Sequence, residues 1–512
     1  MASKRVSRRL NDDEISHLLN DTASDFDSNT ELVDRAEIED FGGYGRFHWR
    51  LMGVCASLQA ADAIEILCIS FLLPVAQCDL GLTSTRKGWL NALLFLGLLM
   101  GGYVGGSLSD QVGRKRVLIA CLFLHGSAGL ISSFMPNFPS FLAARLLSGV
   151  GVGGALPVNF PYFAEFQPRD RRGRMVTLLA SCFLLGNLVV AGLAWWIIPS
   201  GWKFTISSSL EYNSWRIFVG ACGLPSILAA LFLLRFPESP KFLLSIGKEE
   251  EALRVVSLAL ETSMKGPRGY QGIPSLSLRW RESVKHICLQ TVQLFRGNLL
   301  FRICIMIVIH FSLAFGYYGL WMWFPELFSR LKSYYILHSQ PASVCDIIGL
   351  NIPGRNESTD PCDTKPVDPS VYQDQVLLAV APLPMHIWTF LHMDTLGRKF
   401  FLVLGMVVSG VSVFLISLVR NSIQSLLLSM LFSAVSNAAF NAIACVQVEL
   451  FPTHLRATGM ALTAAALRIG AFLGNVIFGY FLDVSCIVPM MSIAIFLCGM
   501  HIPFLIVLSS VL

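Results

Sequence analysis

Gly106-Ser-Leu-Ser-Asp110-Gln-Val-Gly113-Arg114-Lys115-Arg116 lies between two long apolar runs, and its core comes back. Met393-Asp394-Thr-Leu-Gly397-Arg398-Lys399 repeats the Asp-x-x-Gly-Arg-Lys pattern, again between two apolar runs. Asp110 and Asp394 are 284 residues apart, as are Arg114 and Arg398. A second, different motif returns at the same offset: Glu165-Phe-Gln-Pro168-Arg-Asp-Arg-Arg172 against Glu449-Leu-Phe-Pro452-Thr-His-Leu-Arg456. One short match would carry little weight. Two unlike motifs sharing one spacing make the chain two related halves joined by a linker.

Composition says what kind of halves these are. Of 512 residues, 54% are hydrophobic and 14% charged, against about 25% charged in an average soluble domain. Apolar sequence spread along the whole length means membrane rather than a large soluble core. Twelve stretches have the roughly 20 mostly apolar residues that a spanning helix needs. Six lie at about 50–76, 88–109, 117–135, 139–162, 175–198 and 215–235. Six more lie at about 300–328, 374–392, 400–420, 424–447, 458–481 and 486–511. The expected fold is an all-α membrane protein of twelve transmembrane helices in two six-helix halves, 47–236 and 299–512. Residues 1–46 are polar, acidic and rich in Ser, Asp and Asn, and read as a disordered tail. The linker 237–298 is polar and charged; its Glu249-Glu-Glu-Ala-Leu-Arg-Val-Val-Ser-Leu-Ala-Leu segment has helical periodicity, as short amphipathic helices on a membrane surface do.

Loop charge orients the chain. The loop 110–116 carries Arg114, Lys115 and Arg116, and 168–174 carries Arg169, Arg171, Arg172 and Arg174, while 136–139 and 421–423 have no Lys or Arg. Positive loops face the cytosol, so both termini are expected there. The long loop 329–373 then faces the lumen or the outside, and it holds the glycosylation sequon Asn356-Glu-Ser358 on the side where it can be used. A second sequon, Asn20-Asp-Thr22, falls on the cytosolic side and should be silent. Most of the 13 cysteines lie inside apolar runs, as small buried hydrophobes do. Cys345 and Cys362 share the long loop, and a disulfide between them is one pairing open to it. With no apolar stretch in the tail, the first span is expected to act as an uncleaved insertion signal. Glu14-Ile-Ser-His-Leu18-Leu19 fits the acidic dileucine pattern read by sorting adaptors; the bland alternative is a chance Leu pair.

The net charge of +5 is mild and its basic residues fall in short loops, so no nucleic-acid partner is implied. A Gly-x-x-x-x-Gly-Lys-Ser/Thr phosphate loop is absent, which argues against ATP hydrolysis. Neither a metal site nor another cofactor is expected, nor enzyme activity; the partners expected are the bilayer and a solute. Asp62 and Glu65 are the most informative residues: three apart, they share a helix face in the first span. A mid-bilayer carboxylate costs a few kcal/mol even on the lenient insertion scale, so a cavity-facing role competes with quiet packing of protonated acids. Arg145 is about six residues from the outer end of the fourth predicted span, and Glu65 about eleven from that of the first. At 1.5 Å per residue those depths are comparable, making Arg145 the expected counter-charge. Arg468, midway along the eleventh span, is a further buried charge with no obvious local partner. Trp195 and Trp196, Tyr317, Trp321 and Trp323, Phe440 and Asn441 are candidate linings of a central cavity, where aromatic faces suit organic or cationic ligands. Interfacial belts or packing are the alternative, and the better one for Trp323. His125, His310 and His386 are lone histidines on apolar helices and read as packing.

Six plus six helices in parallel halves is the layout of the major facilitator superfamily, whose substrate site lies between the halves at mid-membrane. The chain resembles that superfamily in detail. Asp110, Gly113, Arg114 and Lys115 match its signature loop between helices 2 and 3, and Asp394, Gly397, Arg398 and Lys399 the equivalent between 8 and 9. Arg145-Leu-Leu-Ser-Gly149-Val-Gly151-Val-Gly153-Gly154, Glu165 to Arg172-Gly173 and Pro237-Glu-Ser-Pro240-Lys-Phe-Leu look like the sugar and organic-ion porter branches. Gly45-Arg-Phe-His-Trp49, Ala61-Asp-Ala-Ile-Glu65, Asn213-Ser-Trp-Arg216 and Tyr317-Tyr-Gly-Leu-Trp-Met-Trp-Phe-Pro325 resemble the synaptic vesicle glycoprotein 2 family and its related-protein cousins. The resemblance implies a secondary transporter of a small organic solute, coupled to a proton or another cation, in a vesicular or plasma membrane. It equally keeps open a non-transporting vesicle protein in trafficking or exocytosis, and a facilitative sugar porter.

It also implies roles. In proton-coupled sugar porters a helix 1 Asp and a helix 4 Arg pair, and Asp62 and Arg145 sit at the matching places. The motifs at Asp110–Lys115, Glu165 and Arg172, with Asp394–Lys399, Glu449 and Arg456 in the second half, imply a cytosolic latch. Such exposed charges are individually worth little, yet several together bias one of two domain packings; simple positive-inside anchoring is the plainer reading. The chain departs from its look-alikes in two places. It shows no Pro-Glu-Thr-x-Gly tail, and its loop between helices 7 and 8 is far shorter than the luminal domain of the vesicle glycoproteins.

Overall fold

A computed structural model describes residues 45–207, 210–259, 289, 291–337, 343–349 and 368–499. The tail with Glu14, Leu18 and Leu19, the sequon Asn356, and Cys362 lie outside them, as do the side chains of Asp394 and Glu449.

Six helices make the first half: α1 (Arg46–Leu72), α2 (Ser84–Val112), α3 (Arg114–Ser133), α4 (Phe138–Ala164), α5 (Arg169–Ile197) and α6 (Ser214–Leu233). Two short helices follow in the linker, α7 (Pro240–Ser245) and α8 (Glu249–Ala259), the second on the segment whose periodicity predicts it. The seventh apolar stretch is one span, Leu299–Tyr335, broken into α9 (Gly297–Trp321) and α10 (Phe324–Leu337). Pro325 has no N–H to continue the upstream ladder and is tolerated in a first turn. A short helix α11 (Val344–Gly349) comes next, and the eighth stretch is likewise divided, at Pro382, into α12 (Ser370–Val380) and α13 (Pro382–Leu396). Then come α14 (Arg398–Leu418), α15 (Ser422–Leu450), α16 (Thr453–Phe481) and α17 (Ile487–Gly499). Eleven described helices or helix pairs are long and apolar enough to cross a membrane, and α17 is a shorter apolar helix.

Local signals set the ends. Thr83, Asn137 and Asn421 accept hydrogen bonds from the backbone of the first turns of α2, α4 and α15, supplying partners to otherwise orphaned N–H groups. Gly113 and Gly397, the glycines of the two Asp-x-x-Gly-Arg copies, each end one helix and begin the next at φ of 111° and 84°. That left-handed backbone is where a side chain is strained. The 284-residue repeat is thus a repeat of backbone geometry.

One element departs from the all-α expectation. Lys203–Ser207 (β1) and Leu210–Asn213 (β2) pair antiparallel, with Phe204 opposite Tyr212 and Thr205 opposite Glu211. The hairpin is tied down by Tyr212, whose hydroxyl lies 3.0 Å from Ser133 Oγ and whose ring stacks on Phe134. Next to it, Asp79 accepts from Asn213 Nδ2 and Trp215 Nε1, and Arg216 donates to the carbonyls of Ser133 and Met135. The Asn-Ser-Trp-Arg motif fastens this face of the first half. On the same face Cys345 of α11 is disulfide-bonded to Cys486, with Cα atoms 5.2 Å apart. That corrects the Cys345–Cys362 pairing considered from the sequence: the fold brings the turn between α16 and α17 to α11. A reciprocal pair of hydrogen bonds between Ser343 and Asp346 caps α11 and holds the Asp346 carboxyl below the usual range.

The halves meet along α2 with α16 and α5 with α12. Near the hairpin face, α2 and α16 touch backbone to backbone: a Cβ on Gly88 would lie 2.9 Å from Gly479 Cα. Further along α2 a Cβ on Gly102 would meet only the tip of Arg468, and on Gly106 nothing within 4 Å. The two helices therefore part toward the face that carries the basic loops. The halves enclose a cleft closed on the hairpin face and open on the basic face.

Candidate functional site

The acids of α1 do not line that cleft. Asp62, Glu65, His125 of α3, Arg145 and Ser148 of α4, and Ser226 of α6 form one cluster inside the first half, each 0% exposed. Arg145 Nη1 donates to Glu65 Oε1 at 2.6 Å, and the Ser148 hydroxyl donates to the same oxygen. Arg145 also sits 5.1 Å from the Phe141 ring centroid. His125 Nδ1 lies 3.7 Å from Asp62 Oδ1, while its Nε2 lies 3.8 Å from Glu65 Oε2 and 3.2 Å from Ser226 Oγ. Neither Asp62 oxygen has a hydrogen-bond partner among the described residues.

Two expectations are corrected here. Arg145 pairs with Glu65, as their matching depths predict, and not with Asp62, as the resemblance implies; Glu65 is three residues, or about 4.5 Å, further along the helix. His125, read from the sequence as packing, is the nearest titratable partner of Asp62. Its signal was depth: Glu65 and His125 stand seven and eight residues from the hairpin-face ends of α1 and α3.

The aromatic candidates of the second half pack against one another in the core. Tyr317 and Trp321 of α9 stack at 5.2 Å, with Phe440 of α15 at 5.4 Å from Tyr317. Asn437 Nδ2 donates to the Tyr317 hydroxyl, and Asn441 Nδ2 meets His386 Nδ1 at 2.8 Å. A small cavity at the closed end is bounded by Ser70, Phe71, Asn187, Trp321 and Gln375; Asn187 Oδ1 and Gln375 Nε2 are buried there without hydrogen-bond partners. Arg468 reaches the cleft from α16, its tip against Gly102 of α2. Trp195 and Trp196 sit on the surface end of α5, Trp196 against Trp202, the place of an interfacial belt rather than of a cleft wall.

Above the closed end stands an ion cluster that the sequence reading missed. Lys87 of α2 donates to Glu326 of α10 at 2.6 Å and to Gln77 at 3.0 Å. Arg330 donates to Glu326, to Asp483 and to Ser84 Oγ. Lys87 and Glu326 are 0% and 2% exposed, so a buried ion pair joins the two halves. Each of these charges lies near a span end, where charge is ordinary, and only packing brings them together.

On the basic face, Arg114 is ion-paired with Glu165, which also accepts from Ser239 Oγ. Glu238 accepts from the Lys115 N–H at 2.9 Å, and Lys115 Nζ donates to the Leu234 carbonyl. The loop motif and the Pro237-Glu-Ser-Pro240 segment thus form one network within the first half. Asp110 is exposed and makes no ion pair among the described residues, but its charge faces Arg114, whose ion-pair partner is Glu165.

Two six-helix halves around a cleft open on one face have the architecture of a secondary transporter. The chain belongs to the Major Facilitator Superfamily: that family's model matches residues 55–345, and the model described as "Sugar (and other) transporter" matches 364–511. It is a multi-pass membrane protein of a transporter family. Among curated relatives it is 28% identical to synaptic vesicle glycoprotein 2B of Homo sapiens, over 90% of this chain and 83% of that protein. It is 29% identical to synaptic vesicle glycoprotein 2C of Rattus norvegicus, over 89% and 78%. Among solved structures it is similar to the xylose transporter XylE from E. coli in a partially occluded inward-open conformation. That match has a TM-score of 0.64 at 19% identity, over 91% of this chain and 98% of that one, a likeness of fold.

Proposed function

We propose that this protein is a secondary active transporter that moves a small organic solute by alternating access, coupled to a proton, across a vesicular membrane. The observation that carries the reading is the buried cluster of the first half. It holds two carboxylates and one permanent cation, so one further proton, on Asp62 or on His125, makes it neutral. A buried net charge is expensive, so the cluster gains or loses that proton only when water reaches it, and access is what the rocking of the halves changes. Asp62, which no donor holds, is the proton carrier; His125 is its relay, and the Glu65–Arg145 pair stays as fixed background.

Further features fit this reading. Loop charge puts the basic face and both termini in the cytosol, and the Cys345–Cys486 bridge on the opposite face suits an oxidising lumen. The relatives' names speak for a vesicle. Asn356 would carry glycan in that lumen, adaptors would read Glu14, Leu18 and Leu19, and the Arg114–Glu165 network would brace the cytosolic end, with Asp394 to Lys399, Glu449 and Arg456 as its counterpart.

The test is uptake in proteoliposomes with an imposed pH gradient, screening radiolabelled metabolites. Asp62→Asn should insert normally, keep solute exchange and lose accumulation. Accumulation as steep with pH as in the parent would reduce Asp62 to a structural acid. A second reading, a vesicle protein acting in trafficking or exocytosis without flux, is favoured by those same relatives' names, and no flux across the screen would support it. A facilitative sugar porter is weaker, since uncoupled transport has no use for a neutralisable acidic cluster.

A further inference from the structure

Arg468 stands midway along α16, a helix of 29 residues. It is half-buried and has neither an ion pair nor a hydrogen bond among the described residues. Its nitrogens are not sealed from the cleft, unlike the Nε and Nη2 of Arg145. The titratable group facing it is Tyr318, whose ring lies 5.0 Å from Phe95 of α2 and 6.2 Å from Phe440 of α15. On its other side is the bare backbone of α2 at Gly102.

A guanidinium keeps its charge at any working pH, and in the middle of a membrane that charge is costly even on the lenient insertion scale. Elsewhere in the spans the protein compensates this cost: Arg145 has Glu65, and Lys87 has Glu326. At Arg468 the described residues supply no counter-charge. Guanidinium forks recognise carboxylate, phosphate and sulfate in two-point hydrogen bonds, and Tyr318, which faces the fork, makes an aromatic wall with Phe440, their rings tilted 55° to one another.

We propose that the solute is an organic anion, its acid group seated on Arg468 and its apolar body against the Tyr318–Phe440 wall. This rests on the transporter reading and gives it a substrate class. The seat is also well placed for coupling. Arg468 belongs to the second half and leans on the first, so an anion there touches both halves, as a solute that biases their packing must.

The experiment measures thermal stabilisation of the purified full chain in nanodiscs by four probes: benzoate, phenyl phosphate, the neutral isostere benzamide, and benzyltrimethylammonium. Benzoate or phenyl phosphate should stabilise saturably, with benzamide at least about tenfold weaker and the cation without effect. Arg468→Gln should weaken the anion response at least about tenfold, and Arg468→Lys should retain part of it, since the charge stays while the fork is lost. An equal response to benzamide or to the cation overturns the proposal. So does an anion response that survives Arg468→Gln, or no anion response at all. Flux separates this from the transporter reading: anion binding lost in Arg468→Gln with no uptake of labelled benzoate keeps the seat and removes transport. Conversely, pH-driven uptake of benzamide that Arg468→Gln leaves unchanged keeps transport and removes the seat.

Discussion

Arg145 and Arg468 both stand inside membrane spans, one in each half, and the protein treats them in opposite ways. Arg145 is sealed, 0% exposed, with the Glu65 carboxylate at 2.6 Å and an aromatic ring beneath it. Arg468 is half-buried at the edge of the cleft, against a glycine, with no carboxylate paired to it. The sealed arginine is compensated for good, so its charge is part of the architecture. The unsealed one has no such partner among the described residues. The two halves share helix number and loop motifs, but their polar interiors differ: the first seals two acids, a histidine and an arginine together, and the second leaves its arginine at the cleft.

The largest expected effect separates the two arginines by stability. Arg145→Ala leaves two acids buried without their cation and should cost about 3–5 kcal/mol, whereas Arg468→Ala should change stability by less than about 1 kcal/mol. Thermal unfolding followed by fluorescence-detected size exclusion measures both; equal losses would erase the distinction. Next comes the interface between the halves. Lys87→Met keeps the shape but removes a charged hydrogen bond worth about 1.5–3 kcal/mol, so an impermeant thiol reagent on the hairpin face should label Asn91→Cys about tenfold faster. An unchanged rate would make the Lys87–Glu326 pair a static rivet.

Within the first half, His125→Gln should lower proton-driven accumulation about tenfold while exchange stays within about twofold. If accumulation and exchange fall together, His125 is packing after all. The smallest effect is at the cleft: Gly102→Ala puts a methyl 2.5 Å from Arg468 Nη1, and the flexible side chain should yield, weakening benzoate binding only about two- to threefold. A complete loss would mean that the guanidinium has no second resting place.

Much of this architecture is legible before folding. Apolar runs locate the helices to within a few residues, because a spanning segment must satisfy its backbone internally and be apolar along its length. The glycines at 113 and 397 announce their turns, since few other residues accept that backbone. What stays hidden depends on two distant segments at once. Cys345 and Cys486 are 141 residues apart, and nothing local ties them. Lys87 and Glu326 look like ordinary span-end charges until α2 and α10 are packed. The β1–β2 hairpin escaped because nine residues of weak alternation in a loop carry little signal. Asp62 and Glu65 drew notice as acids in apolar sequence, yet spacing alone did not say which one takes Arg145. Depth along the helix did.

In the proposed rocking of the halves, the contact between Gly88 and Gly479 makes α2 a lever. Its fulcrum lies where the two backbones touch, close to the Lys87–Glu326 pair, and its arm, from Gly88 past Gly106, moves with α4, onto which Gly97, Gly101 and Gly105 pack it. At 1.5 Å per residue that arm is about 27 Å long, so a tilt of about 10° sweeps its tip through about 5 Å. Glycine at the pivot is what lets the backbones touch there, since a Cβ on Gly88 would lie 2.9 Å from Gly479 Cα.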